Sequence, residues 1–152
     1  MGSLSEYTSA SYIRTLSSVN KFQAIDELAR VYEGTNVCSD VESLIKSLKE
    51  REELMSTGIG FGIAIPHAKI QDISDLSFAI GISKEGINFD SMDGYPVHLL
   101  ILVVAGEKQH REYLGLLSNI MSMLKKNEVK EQIIASSSPE EVMAFLKDYA
   151  MK

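Results

Sequence analysis

The chain has 152 residues, 45% hydrophobic and 24% charged, with a net charge of −6 at pH 7. That length suits one domain with a sizeable core, spanning residues 1–152, and the composition excludes a disordered chain. The acidic balance excludes a nucleic-acid partner, and no apolar run reaches membrane-spanning length, so membrane insertion is not expected. No secretory signal is visible and the single cysteine, Cys38, has no partner for an internal disulfide, which fits a cytoplasmic location. Residues 1–9 are expected to be disordered or partly foreign to the domain.

Residues 10–16 read as a short strand or extended arm. Residues 18–33 place Phe22, Ile25, Leu28, Ala29 and Tyr32 at helical spacing, and Gly34 stops that helix. Ser39 with Glu42 has the form of a capping box before Val41, Leu44, Ile45 and Leu48, predicting a second helix to about Glu53. Strands are predicted at 59–65, 76–82, 87–89 and 97–105. The last is almost continuously apolar, as expected of a strand covered on both faces. Beyond Gly106 the spacing of Tyr113, Leu117, Ile120 and Leu124 predicts a helix over 108–126, followed by a shorter one at 128–135. Ser138, Pro139 and Glu141 open a C-terminal helix. Strands interleaved with helices make this an α/β protein, a mixed β-sheet flanked by helices.

The segment Arg51 to His67 (REELMSTGIGFGIAIPH) concentrates the chemistry. Ile59, Ile63 and Ile65 favour extended structure, and Pro66 biases Ile65 away from the helical region. The run should therefore deliver His67 at a sheet edge or mouth, where an imidazole can act as base, ligand or nucleophile. On the residues alone, a strand-end histidine simply hydrogen-bonded in place is the commoner case. Gly58, Gly60 and Gly62 fail the dinucleotide fingerprint and lead into a strand rather than a helix, and there is no Walker-type loop. No cofactor is expected, and a phosphoryl group would have to arrive already activated. A zinc site from His67, His98 and His110 matches no short metal motif, and a Ser56–His67–Asp72 hydrolase lacks a nucleophile elbow. Cys38 reads as packing.

Arg51-Glu52, Ser56-Thr57-Gly58-Ile59-Gly60, Ile63-Ala64-Ile65 and Pro66-His67 closely resemble the enzyme IIA domains of the fructose/mannitol type in the bacterial phosphotransferase system, nearest the nitrogen-regulatory enzyme IIA. The similarity continues through Phe89-Asp90, Asp93 and Pro96-Val97 to His110 heading a helix. It covers nearly all the chain and is weakest before about residue 20. The resemblance implies the mannitol/fructose-type IIA fold and a catalytic set in which His67 carries the phosphoryl group. It implies that Arg51 backs the phosphohistidine and that His110 orients the phosphoryl group without carrying it. Ser56, Thr57 and the backbone from Gly58 to Gly62 would supply hydroxyl and N–H donors. The implied donor is the phosphorylated histidine carrier protein, phospho-HPr. The output would be regulation of partner proteins or transfer to a IIB cysteine for sugar uptake. A non-catalytic signalling module of the same fold is the rival, and the joint presence of Arg51, His67 and His110 speaks against it. His98 reads as structural. Phe61 either reaches the core from a strand or, if exposed, provides an aromatic anchor for a partner beside His67, with Lys69, Arg111 and Lys108 adding local positive charge. Two positions depart from the family pattern: Ala105-Gly106 where a proline commonly ends the strand, and His98 where an acid is frequent.

Overall fold

The computed structural model describes residues 2–152. Its centre is one mixed six-stranded sheet. In spatial order it runs from β1 (Ile13–Thr15) through β5 (Ser77–Ile87) and β6 (Val97–Ala105) to β3 (Ile63–Ala64) and β2 (Gly58–Gly60), and β4 (His67–Lys69) also lies on β6. β1 is parallel to β5, β5 antiparallel to β6, β3 and β4 both parallel to β6, and β2 antiparallel to β3.

β6 is covered on both sides, which is why its sequence is apolar without alternation. Leu100, Leu102 and Val104 face a core completed by helices α1 (Lys21–Ala29) and α2 (Val41–Leu54). Leu99, Ile101, Val103 and Ala105 face a second core completed by α3 (His110–Leu124), α4 (Asn127–Ala135) and α5 (Pro139–Asp148). The expected architecture of a mixed sheet between helices is the observed one.

Several local expectations change. The strand predicted at 59–65 is a tight hairpin: Gly60 pairs with Ile63 across a two-residue turn, and Phe61 and Gly62 have φ of 58° and 76°. Positive φ at both turn residues is the requirement of a type I′ hairpin, and Gly62 meets it freely. The strand predicted at 76–82 runs on as β5 to Ile87, kinked by a register shift between Ile82 and Ile87 where Gly86 has φ of 97°, and of the strand predicted at 87–89 only Ile87 belongs to it. The first helix begins only at Lys21, because the Asn20 side chain caps it by accepting from Gln23 N–H, and it tightens into a 3-10 turn over Arg30–Tyr32. The cap of α2 is Asp40, which accepts from Ser43 N–H. Ser39 is drawn away from that role by donating its own N–H and hydroxyl to the Asp72 carbonyl, and Glu42 pairs with Arg30. Of the segment 1–9, Met1 lies outside the described residues and residues 2–9 pack against the domain. Leu4 is fully buried in the second core, and the Leu4 N–H to Tyr149 carbonyl and Met151 N–H to Gly2 carbonyl bonds tie the two chain ends together.

Candidate active site

Pro66 interrupts the strand that would otherwise run from Ile63 to Lys69. β3 and β4 keep one register on β6, with Ile63 opposite Leu99, Ala64 opposite Leu100 and His67 opposite Val103. At the interruption Val103 N–H donates to the Pro66 carbonyl at 3.0 Å, while Ile65 N–H turns the other way to the Thr57 carbonyl at 3.1 Å. The Ile65 carbonyl is thereby left for the His67 ring, whose Nδ1 lies 2.8 Å away. A carbonyl can only accept, so Nδ1 carries the hydrogen and the neutral ring keeps its lone pair on Nε2. His67 is half-buried, and the Tyr113 ring from the first turns of α3 stands 6.0 Å from it, centroid to centroid.

Around this imidazole the fold gathers positive charge. Arg51, in the last turn of α2, donates from Nη1 to the Met55 carbonyl at 2.8 Å, which holds its side chain across the helix end. Burial pushes the Tyr113 phenol up to about 12, and the charge of Arg51 acts in the opposite direction. Lys69 is two residues beyond His67 on β4 and so projects from the same face. Its Nζ lies 2.8 Å from Nδ1 of His110, the first residue of α3. His110 is exposed.

Residues 6–149 match the family described as "Phosphoenolpyruvate-dependent sugar phosphotransferase system, EIIA 2". The chain belongs to this family. Among similar proteins, the fructose-specific EIIABC component of Bacillus subtilis is 31% identical over 134 residues, covering 88% of this chain but only 21% of its own length. The fructose-specific EIIA component of Haloferax volcanii is 35% identical, covering 72% of this chain and 71% of its own. The crystal structure of the nitrogen regulatory protein IIA-Ntr from Neisseria meningitidis superposes with a TM-score of 0.86 at 29% identity, covering 94% of this chain and 98% of that one. The chain thus spans about a fifth of the B. subtilis protein and most of the length of the other two.

In this EIIA domain the hydroxyls of the Ser56-Thr57-Gly58 turn are already committed. Ser56 Oγ donates to the Phe89 carbonyl and accepts from Gly58 N–H at 3.0 Å. The Thr57 hydroxyl donates to Glu52 at 2.6 Å, and Thr57 N–H donates to the same carboxylate at 3.0 Å. These groups therefore shape the loop instead of standing free as donors. Glu52 itself is 2% exposed and ion-paired with Lys21 at 3.5 Å. A line of bonds runs from Glu52 through Thr57 and Ile65 to the His67 ring. Sequence reasoning quoted Glu52 but gave it no task. A glutamate on the helical stripe of α2, at i+4 from Leu48, was the available signal.

Phe61 is exposed, at 79%, but not beside His67. The His98 and Leu99 N–H groups both donate to the Gly62 carbonyl, which fixes the hairpin turn at the start of β6. His67 pairs four residues further along β6, about 13 Å away at the usual strand rise. The structure thus sets His67 against Tyr113 and on one face of β4 with Lys69, which reaches His110, and it leaves Phe61 at the opposite end of the strand. His98 donates from Nδ1 to the Ser83 carbonyl at 2.8 Å, a structural bond. Cys38 is buried, and burial raises its thiol pKa, as suits a packing residue. Among the described residues no helix is long and apolar enough to cross a membrane.

Proposed function

We propose that this EIIA domain is a phosphohistidine carrier that takes its phosphoryl group from phospho-HPr onto Nε2 of His67. The Nε2 lone pair attacks phosphorus, the donor's P–N bond breaks, and its electron pair returns to the donor ring. No proton has to move before attack, because Nε2 starts without one. The observation carrying this reading is the Nδ1–H bond to the Ile65 carbonyl, which fixes the nucleophilic nitrogen. Arg51 and His110 act on the charge and orientation of the transferring group. The first-turn amides of α3 add donor capacity, since Gln109 gives its side-chain oxygen to Gly106 N–H instead of to that turn.

The output we favour is regulatory, of the nitrogen type, on the strength of the close superposition with IIA-Ntr along nearly its full length. The similarity to fructose-specific EIIA proteins supports a second reading, onward transfer to a IIB cysteine. Incubation with the general phosphotransferase proteins and phosphoenolpyruvate should give one acid-labile, alkali-stable phosphate, because N–P bonds cleave once the ring is protonated. The His67→Ala variant should take none. Full labelling of that variant would remove His67 as acceptor. Subsequent addition of a fructose-type IIB domain separates the outputs: rapid discharge supports transport, and a persistent label supports regulation.

A further inference from the structure

We infer that Lys69 is a positioning residue that fixes the tautomer of His110, so that His110 meets the phosphoryl group with an N–H donor. An ammonium group has three donors and no acceptor. With Lys69 Nζ 2.8 Å from His110 Nδ1, that ring nitrogen must be the acceptor, and the hydrogen of the neutral imidazole sits on Nε2. His67 is held in the opposite tautomer by the Ile65 carbonyl. The two imidazoles are therefore complementary at Nε2: a lone pair on one and an N–H on the other. In the reverse tautomer, His110 would turn a lone pair toward three anionic oxygens and repel the group it is meant to orient.

Both partners are anchored. Lys69 belongs to β4, where it pairs with Ala105, and the next residue donates Ile70 N–H to the Ala105 carbonyl at 2.9 Å. His110 follows a tight turn in which Gly106 N–H donates to Gln109 Oε1 at 2.7 Å and Gln109 N–H donates back to the Gly106 carbonyl at 3.1 Å. A Cβ at Gly106 would stand 2.7 Å from the Ile73 carbonyl oxygen, so only glycine lets the chain pass here. The departure from proline noted at this position thus belongs to the turn that sets His110 opposite Lys69.

This inference rests on the acceptor reading for its purpose, but the tautomer can be measured without any phosphoryl transfer. Nitrogen-15 correlation spectra of the imidazole rings, in unphosphorylated protein at neutral pH, should show His110 protonated on Nε2 with an unprotonated Nδ1. Lys69→Met should give a mixture of tautomers, and Lys69→Arg, which still donates, should restore the single form. The His67 ring, bonded to Ile65, should be unchanged throughout and reports an intact fold. In single-turnover transfer from phospho-HPr, Lys69→Met should be slower by roughly fivefold to tenfold, the scale of one hydrogen bond. In a His110→Ala background the same change should have little further effect. A wild-type His110 protonated on Nδ1, or an unchanged spectrum in Lys69→Met, would overturn the inference. Equal slowing with and without His110 would show that Lys69 acts by charge alone and would overturn it too. Failure of His67 to accept phosphate would sink the acceptor reading while leaving the spectra as expected.

Discussion

Removing the Glu52 carboxylate should unsettle the loop that leads to His67. Glu52 accepts the Thr57 N–H and hydroxyl and pairs with Lys21, all within a region where Glu52 is 2% and Thr57 6% exposed. In Glu52→Ala, two buried donors lose their acceptor, and Lys21 keeps only its 3.2 Å pairing with Asp90. Breaking one side of a buried charged cluster costs about 3–5 kcal/mol. Against a typical net stability of roughly 5–15 kcal/mol, that is a large fraction. At about 2–4 °C per kcal/mol for a domain of this size, the melting temperature should fall by roughly 6–20 °C. Urea unfolding at pH 7 checks this, with a lower midpoint and an unchanged slope. Thr57→Val, which removes only the hydroxyl bond, should cost about 1–2 kcal/mol, and the double variant should fall short of the sum. Because the Thr57 carbonyl holds Ile65, which holds His67, Glu52→Ala should also slow phosphorylation under conditions where it remains folded. A loss below about 1 kcal/mol, or strict additivity with Thr57→Val, would refute this account of the cluster.

Phe61→Asn should stabilise the protein by about 0.5–1 kcal/mol in urea titration, because Asn-Gly suits a turn with both φ angles positive far better than Phe-Gly. If Phe61 anchors a partner away from the acceptor, the same variant should weaken partner binding while leaving His67 labelling intact. Arg51→Ala and His110→Ala should each leave the fold in place and slow single-turnover transfer by about ten- to a hundredfold, with a combined effect smaller than the product of the two. Wild-type rates in both would remove them from the site. Burial alone would raise the Glu27 carboxyl, but bonds from the hydroxyls and amides of Ser18 and Ser17 reverse this and hold it below its ordinary value. A depressed carboxylate stabilises above its unfolded pKa of about 4.3 and loses that contribution as pH falls through the folded value. Glu27→Gln should therefore be less stable than wild type at pH 7, and the gap should close below about pH 4. A gap independent of pH would refute the assignment.

Much of the architecture was written in short-range patterns. The Ser138-Pro139 start of α5, with Ser138 accepting from Glu141 N–H, needs only residues three apart, and the observed cap is the predicted one. The unbroken apolar run of β6 foretold burial on both faces, because no side of it was left polar for water. The proline that breaks the strand before His67 was equally legible as a string. What the string left open were the choices made by contact. Whether Gly60 to Gly62 continue a strand or reverse it depended on where β6 offers its amides, and His98 and Leu99 offer them to Gly62. The hydroxyls of Ser56 and Thr57 looked free for a ligand until packing set Phe89 and Glu52 against them. Lys69 and His110 lie 41 residues apart, and nothing local in either segment marks the pairing. Caps and periodicity are fixed by backbone groups within a turn or two of each other. A tautomer, a committed hydroxyl and an exposed aromatic are fixed by whichever distant element the sheet happens to place alongside.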